Sequence, residues 1–101
     1  MTGQERSRAA WRRYLAKAPT RAEALRRCVQ LLEDTPPCLA TMDVHELLES
    51  CRGVGPQVAD RWQTALEMFA AIPLRELGTW RRAALIALLK RRARERERRS
   101  T

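Results

Sequence analysis

Leu47-Leu48-Glu49-Ser50-Cys51-Arg52-Gly53-Val54-Gly55-Pro56-Gln57-Val58-Ala59 is the stretch on which the reading of this chain turns. Val44, Leu47, Leu48 and Cys51 repeat at helical spacing, and Asp43 stands before them as an N-cap with Glu46 three residues on. Gly53-Val54-Gly55 breaks that helix, and Pro56 suits the first turn of another, whose Val58, Trp62, Ala65, Leu66 and Phe69 share one face. Two helices joined by a Gly-hydrophobic-Gly turn make a helix-hairpin-helix-like unit. Glycines there admit positive φ and let a phosphate approach a backbone that carries no Cβ. The following helix aims its unpaired N–H groups and its dipole at that phosphate. Such a device grips backbone and does not read bases. Gly-x-Gly between helices is equally an ordinary reversal with glycine at a helix C-cap, so the rest of the chain has to decide between the two.

Outward from the hairpin, almost every segment reads with a helical period, and residues 38–42 are short and ambiguous. Upstream, Trp11, Tyr14, Leu15 and Ala18 face one way and Arg12, Arg13 and Lys17 largely another, until Pro19 stops the helix. Thr20 and Glu23 form a capping box ahead of Ala22, Leu25, Val29 and Leu32, and Pro36-Pro37 ends that second helix. Downstream, Pro73 and Gly78 bracket a turn, and Thr79 can cap a last helix with Leu85, Leu88 and Leu89 as its buried stripe. From Lys90 on, that helix is charged on every face, and from about Arg94 a frayed, solvated extension is expected.

The charge tips the balance towards phosphate. There are 20 Lys and Arg against 12 Asp and Glu, for a formal +8, and all the bases but Lys17 and Lys90 are Arg. Arginine's planar donor fork matches phosphate, although a GC-rich genome gives the same bias. Residues 1–27 hold eight bases and two acids, and residues 90–101 seven bases and two acids. The centre between them is slightly acidic, so two basic ends flank it. Hydrophobic residues make up 45%, enough for a core in one domain of 101 residues.

Other chemistry finds little footing. Cys28, Cys38 and Cys51 are odd in number and lack a C-x-x-C, and His45 is the sole histidine, which makes a poor disulfide framework and a poor zinc site. We expect apolar cysteines in a reducing cytosol, no metal and no cofactor. His45 has no nucleophile beside it in a recognisable motif and is expected at the surface, so the chain reads as non-enzymatic. No apolar run reaches membrane-span length and the N-terminus has no signal-peptide core, so cytoplasmic localisation is expected. Trp62 is expected in the core. Trp80, next to Arg81-Arg82, is the one tryptophan that could meet DNA, with core the default for it too.

Two motifs together resemble a family. Leu47-Leu48-Glu49 leading into Gly53-Val54-Gly55 and Ala59, then Leu74-Arg75-Glu76-Leu77-Gly78 leading into Arg82-Ala83-Ala84-Leu85, is similar to the actinobacterial integration host factor, in the same order and at matching separations from about Asp43 to Leu89. The resemblance implies an all-α fold of basic N-terminal helices (1–42), a helix-two-turn-helix module of the ribosomal S13 kind (43–93) and a flexible Arg-rich tail (94–101). It implies a nucleoid-associated protein that binds duplex DNA with little sequence preference and takes part in recombinase or integrase complexes. It assigns phosphate contact to Gly53, Val54 and Gly55, and backbone or groove contact to Arg75. The chain departs from the family pattern at Arg52, Pro56 and Val58, where the family commonly has Pro, Lys and Arg. Ile72-Pro73 replaces a pair of arginines and Glu76 a glycine. Arg52, Arg61, Arg81 and Arg82 are then expected to supply the basic rim, with Arg12, Arg13 and Lys17 as a further phosphate-touching stripe. An RNA- or ribosome-associated S13-like binder, or a helical adaptor for a protein partner, are the competing readings.

Overall fold

The computed structural model describes residues 3–100, so residues 1–2 and 101 of the expected N-terminal region and tail lie outside the described residues. Those described form an all-helical chain without a strand: α1 (Gly3–Ala16), α2 (Arg21–Glu33), α3 (Val44–Ser50), α4 (Pro56–Ala65) and α5 (Thr79–Ser100), with single 3₁₀ turns at Pro37–Leu39 and Leu74–Glu76. Local chemistry sets the boundaries. The Thr20 hydroxyl accepts from the Glu23 amide at 3.0 Å, and the Asp43 carboxylate accepts from the His45 amide at 2.9 Å, each satisfying an N–H that the helix leaves unpaired. Pro36 and Pro73 confine the chain between helices to extended backbone. The two connections meet there, with the Val44 amide on Ile72 O at 3.0 Å and the Leu74 amide on Met42 O at 2.9 Å. This is one isolated antiparallel bridge, Asp43 to Pro73.

The centre of the molecule is α2 lying along α5. Leu25, Cys28, Val29 and Leu32 of α2, and Leu85, Leu88, Leu89 and Ala93 of α5, are all buried in one cluster. Leu15 of α1, Leu47 and Leu48 of α3 and Ala59 of α4 join it. Each fully buried leucine contributes about 2 kcal/mol relative to exposure. Residues on both sides of the expected division at 42/43 therefore share a single core.

Several side chains lie elsewhere than expected. Helix α4 ends at Ala65, because Glu67 takes a left-handed φ of 58° and the Met68 amide turns back onto Gln63 O at 2.8 Å. Met68 thereby fills the buried position and Phe69, expected on the apolar face, is 79% exposed. Trp80 is 57% exposed, because the first turn of α5 points it away from the stripe of Leu85 and Leu89. The basic tail is helix and continues α5 to Ser100. It is held there by burial of Ala93 and by an ion pair between Arg26 of α2 and Glu97.

Candidate nucleic-acid interface

The hairpin forms between α3 and α4 as expected, but its two glycines differ. Gly53 has φ 85°, and a Cβ there would stand 2.7 Å from Cδ of Arg21, whose side chain lies across the turn. Gly55 has φ −88° and ψ 172°, extended backbone open to any residue, and it caps α4 with nothing within 4 Å of a built Cβ. Val54 is buried beneath them, its amide on Cys51 O at 3.0 Å. His45 braces the unit: Nδ1 is 3.0 Å from a Glu49 carboxylate oxygen in α3, and Nε2 is 2.9 Å from Asp60 in α4. His45 is accordingly half-buried, which its sequence neighbours did not signal, since Asp60 lies across the hairpin.

Beside the turn a cleft of about 350 Å³ runs between α4 and the C-terminal half of α5. Arg21, Arg52, Arg61, Arg91, Arg92, Arg96 and Arg99 line it with a single carboxylate, Glu95. Leu25, Val54, Val58, Trp62, Ala65 and Leu88 make its apolar lining. Trp62 is thus half-buried at the cleft surface, not enclosed as expected. Arg92 pairs with Glu95 at 3.2 Å, while Arg21, Arg61, Arg91 and Arg99 are exposed and have no acidic partner among the described residues. At 1.5 Å rise per residue, Arg91 to Arg99 extends about 12 Å, roughly three to four nucleotide steps of a strand rising 3.4 Å each.

The expected site residues divide accordingly. Arg52, Gly53, Val54 and Arg61 come together in the cleft, with Gly55 at its edge in sequence. Arg52 also donates to Ala18 O and Pro19 O, both at 2.9 Å, and so anchors the hairpin to the end of α1. Arg82 turns inward, donating to Leu32 O at 2.6 Å, Thr35 Oγ1 at 3.1 Å and Leu74 O at 2.7 Å. Arg81 stacks on Trp80 and reaches Glu67 O at 3.5 Å. Arg12 pairs with Glu46 at 3.1 Å, beside Arg8 on the same carboxylate. Arg13, Lys17 and Arg75 are exposed and do not line the cleft. Sequence reasoning missed Arg21, Arg91, Arg92, Arg96 and Arg99 as members of one site. Only the helical state of the tail, and α2 running beside α5, bring them to the hairpin.

Among the described residues no group of three or more His, Cys, Asp or Glu could hold a metal ion. No helix among the described residues is long and apolar enough to cross a membrane. Cys28 is buried, and its contact with the Cys51 thiol, then burial, push its own thiol well above the ordinary range, so it stays protonated. No family model, curated protein or solved structure matches this chain.

Proposed function

We propose that this protein is a sequence-tolerant duplex-DNA binder that acts architecturally, in the manner of the integration host factors it resembles, by gripping phosphate at the cleft and the adjoining Gly-Val-Gly turn. The observation that carries this reading is the convergence of seven arginines on one cleft against one carboxylate. Like charges gathered at a concave, partly apolar surface repel one another, and a polyanion relieves that cost. Arginine forks are suited to phosphate oxygens, and contacts of this kind position a duplex without reading it. A nucleoid-associated role and attachment to a recombinase complex follow from the same reading. The reading is one of binding without catalysis, since it rests on arginines and apolar side chains gathered at one cleft.

The test is a mobility-shift titration on duplex DNA, single-stranded DNA and structured RNA at two salt concentrations. With about four to eight phosphates neutralised, the log–log slope of duplex affinity against salt is expected at roughly −4 to −7. A slope near zero overturns the proposal. Preference for structured RNA transfers the protein to the ribosome-associated class, and binding to no nucleic acid at low salt transfers it to the protein adaptors.

A further inference from the structure

Building on the DNA-binding reading above, we infer that the cleft between α4 and α5 takes an unpaired nucleotide of a DNA strand, its base against the apolar floor and its flanking phosphates on the arginine rim. The floor is the reason. Val54 and Leu88 are buried and Val58 and Trp62 half-buried, whereas Ala65 and all the lining arginines but Arg96 are exposed, so the cleft has an apolar floor and an arginine rim. A surface built only for an intact duplex meets phosphate and sugar, and gains nothing from apolar lining. Bases stacked within a duplex cannot reach into a concave site, whereas an unstacked base can. Its π-face is apolar and sequence-independent, and the half-buried indole of Trp62 offers it a stacking partner. A cleft of about 350 Å³ falls within the range of small-ligand sites, which suits one nucleotide and not a longer strand.

The arginines are placed for the backbone on either side. Arg21 lies at the hairpin, Arg61 on α4, and Arg91 and Arg99 on α5, so cations stand on every wall of the floor. An acidic amphipathic helix from a protein partner would match the charge, but it needs apolar anchors spaced over several turns. Here α4 contributes only Val58, Trp62 and Ala65 before it ends. Of the residues beyond that end, only those of α5 line the cleft, so the apolar lining from α4 spans about two turns.

Three duplexes of equal length test this by fluorescence anisotropy: one fully paired, one with a single bulged thymidine, and one with an abasic residue at the bulge. The bulged duplex is expected to bind about tenfold tighter than the paired one, and the abasic duplex to lose that gain, because stacking requires the base. The abasic control keeps the flexibility of a bulge and removes only what the floor would hold. In Ala65→Phe, which fills the floor from an exposed position, the ratio of bulged to paired affinity is expected to fall to about one, whereas Trp62→Phe keeps most of it. Circular dichroism melts confirm that both variants fold. Equal affinity of the parent for bulged and paired DNA overturns this inference and leaves the duplex reading standing. Binding of neither at low salt overturns both. Tighter binding of an acidic amphipathic peptide than of the bulged duplex gives the cleft to a protein partner and overturns this inference.

Discussion

Two sets of arginines in this molecule have the same chemistry and opposite situations. Arg27, Arg52 and Arg82 spend donors on main-chain carbonyls: Tyr14 O at 2.7 Å, Ala18 O and Pro19 O, and Leu32 O with Leu74 O. All of these carbonyls but Leu74 O, which belongs to the turn before α5, lie at or just beyond the ends of α1 and α2, where the helix leaves acceptors unpaired and its dipole favours a cation. Arg21, Arg61, Arg91 and Arg99 are exposed around the cleft without a carboxylate among the described residues. The first set ties elements of the fold to one another, and the second leaves its charge at the surface of the cleft. Net charge alone therefore does not say which arginines have donors to spare, because three of them already donate to main-chain carbonyls. Arg52 belongs to both sets, since it caps α1 and lines the cleft.

The contrast breaks most visibly at Arg82. Arg82→Ala leaves Leu32 O and Leu74 O without their charged donor, and Thr35 Oγ1 loses a partner. The expected loss is about 3 kcal/mol, since hydrogen bonds from charged groups are worth about 1.5–3 kcal/mol each and the site is only part-buried. Thermal denaturation should show a melting temperature lowered by more than about 10 °C, with duplex affinity of the folded protein nearly unchanged. A parent-like melt would remove the structural role assigned to this set.

Arg61→Glu combined with Arg91→Glu makes the converse case. Two charge reversals on the cleft walls should weaken duplex binding about a hundredfold, close to 2.7 kcal/mol, and leave the melt within a few degrees of the parent, because neither side chain has an acidic partner among the described residues. A loss of stability without a loss of affinity would exchange the roles of the two sets.

The tail sharpens the comparison further. Deletion of residues 94–101 removes Arg96 and Arg99 from the cleft together with the Arg26–Glu97 pair, and ends α5 directly after the buried Ala93. Affinity should fall about thirtyfold, near 2 kcal/mol, and the salt slope should flatten by about two. A flexible polybasic arm would leave the melting temperature untouched. The helical tail should lower it by about 5 °C, since surface ion pairs contribute about 0–1 kcal/mol and the last turn of α5 frays back towards Ala93.

Helix existence and order were legible because proline, glycine and capping residues punctuate the chain at Pro19, Thr20, Pro36, Asp43, Pro56 and Pro73. The hairpin was legible for the same reason. Charge assignment was not, because a guanidinium is long enough to reach a carbonyl 50 residues away, as Arg82 does with Leu32. No local pattern announces that reach. The helical state of residues 94–100 was hidden too. Charge on every face reads as solvation, whereas the tail is held by Ala93, one small residue, and by a glutamate that meets α2. Phe69 was misplaced by extending a helical period past the end of α4, and Trp80 by the default of burying an indole.

The smallest expected effects lie in the hairpin itself, where the two glycines separate folding from binding. Gly53→Ala places a Cβ at φ 85° and pushes against the Arg21 stem, so it should cost about 1 kcal/mol of stability. Gly55→Ala, with φ −88° and open space, should stay within about 0.5 kcal/mol of the parent. Gly55 is thus the position where a substituent can probe the approach to the turn without disturbing it. Gly55→Glu sets a carboxylate at the N-terminus of α4, where the helix dipole favours it and the fold should tolerate it. The same carboxylate repels an incoming phosphate, so duplex affinity is expected to fall about tenfold, or 1.4 kcal/mol, by anisotropy at low salt. A folded Gly55→Glu protein that binds like the parent would show that phosphate meets only the arginine walls of the cleft. The turn would then serve to reverse the chain and to seat Arg21, and the grip on DNA would belong wholly to side chains of α4 and α5.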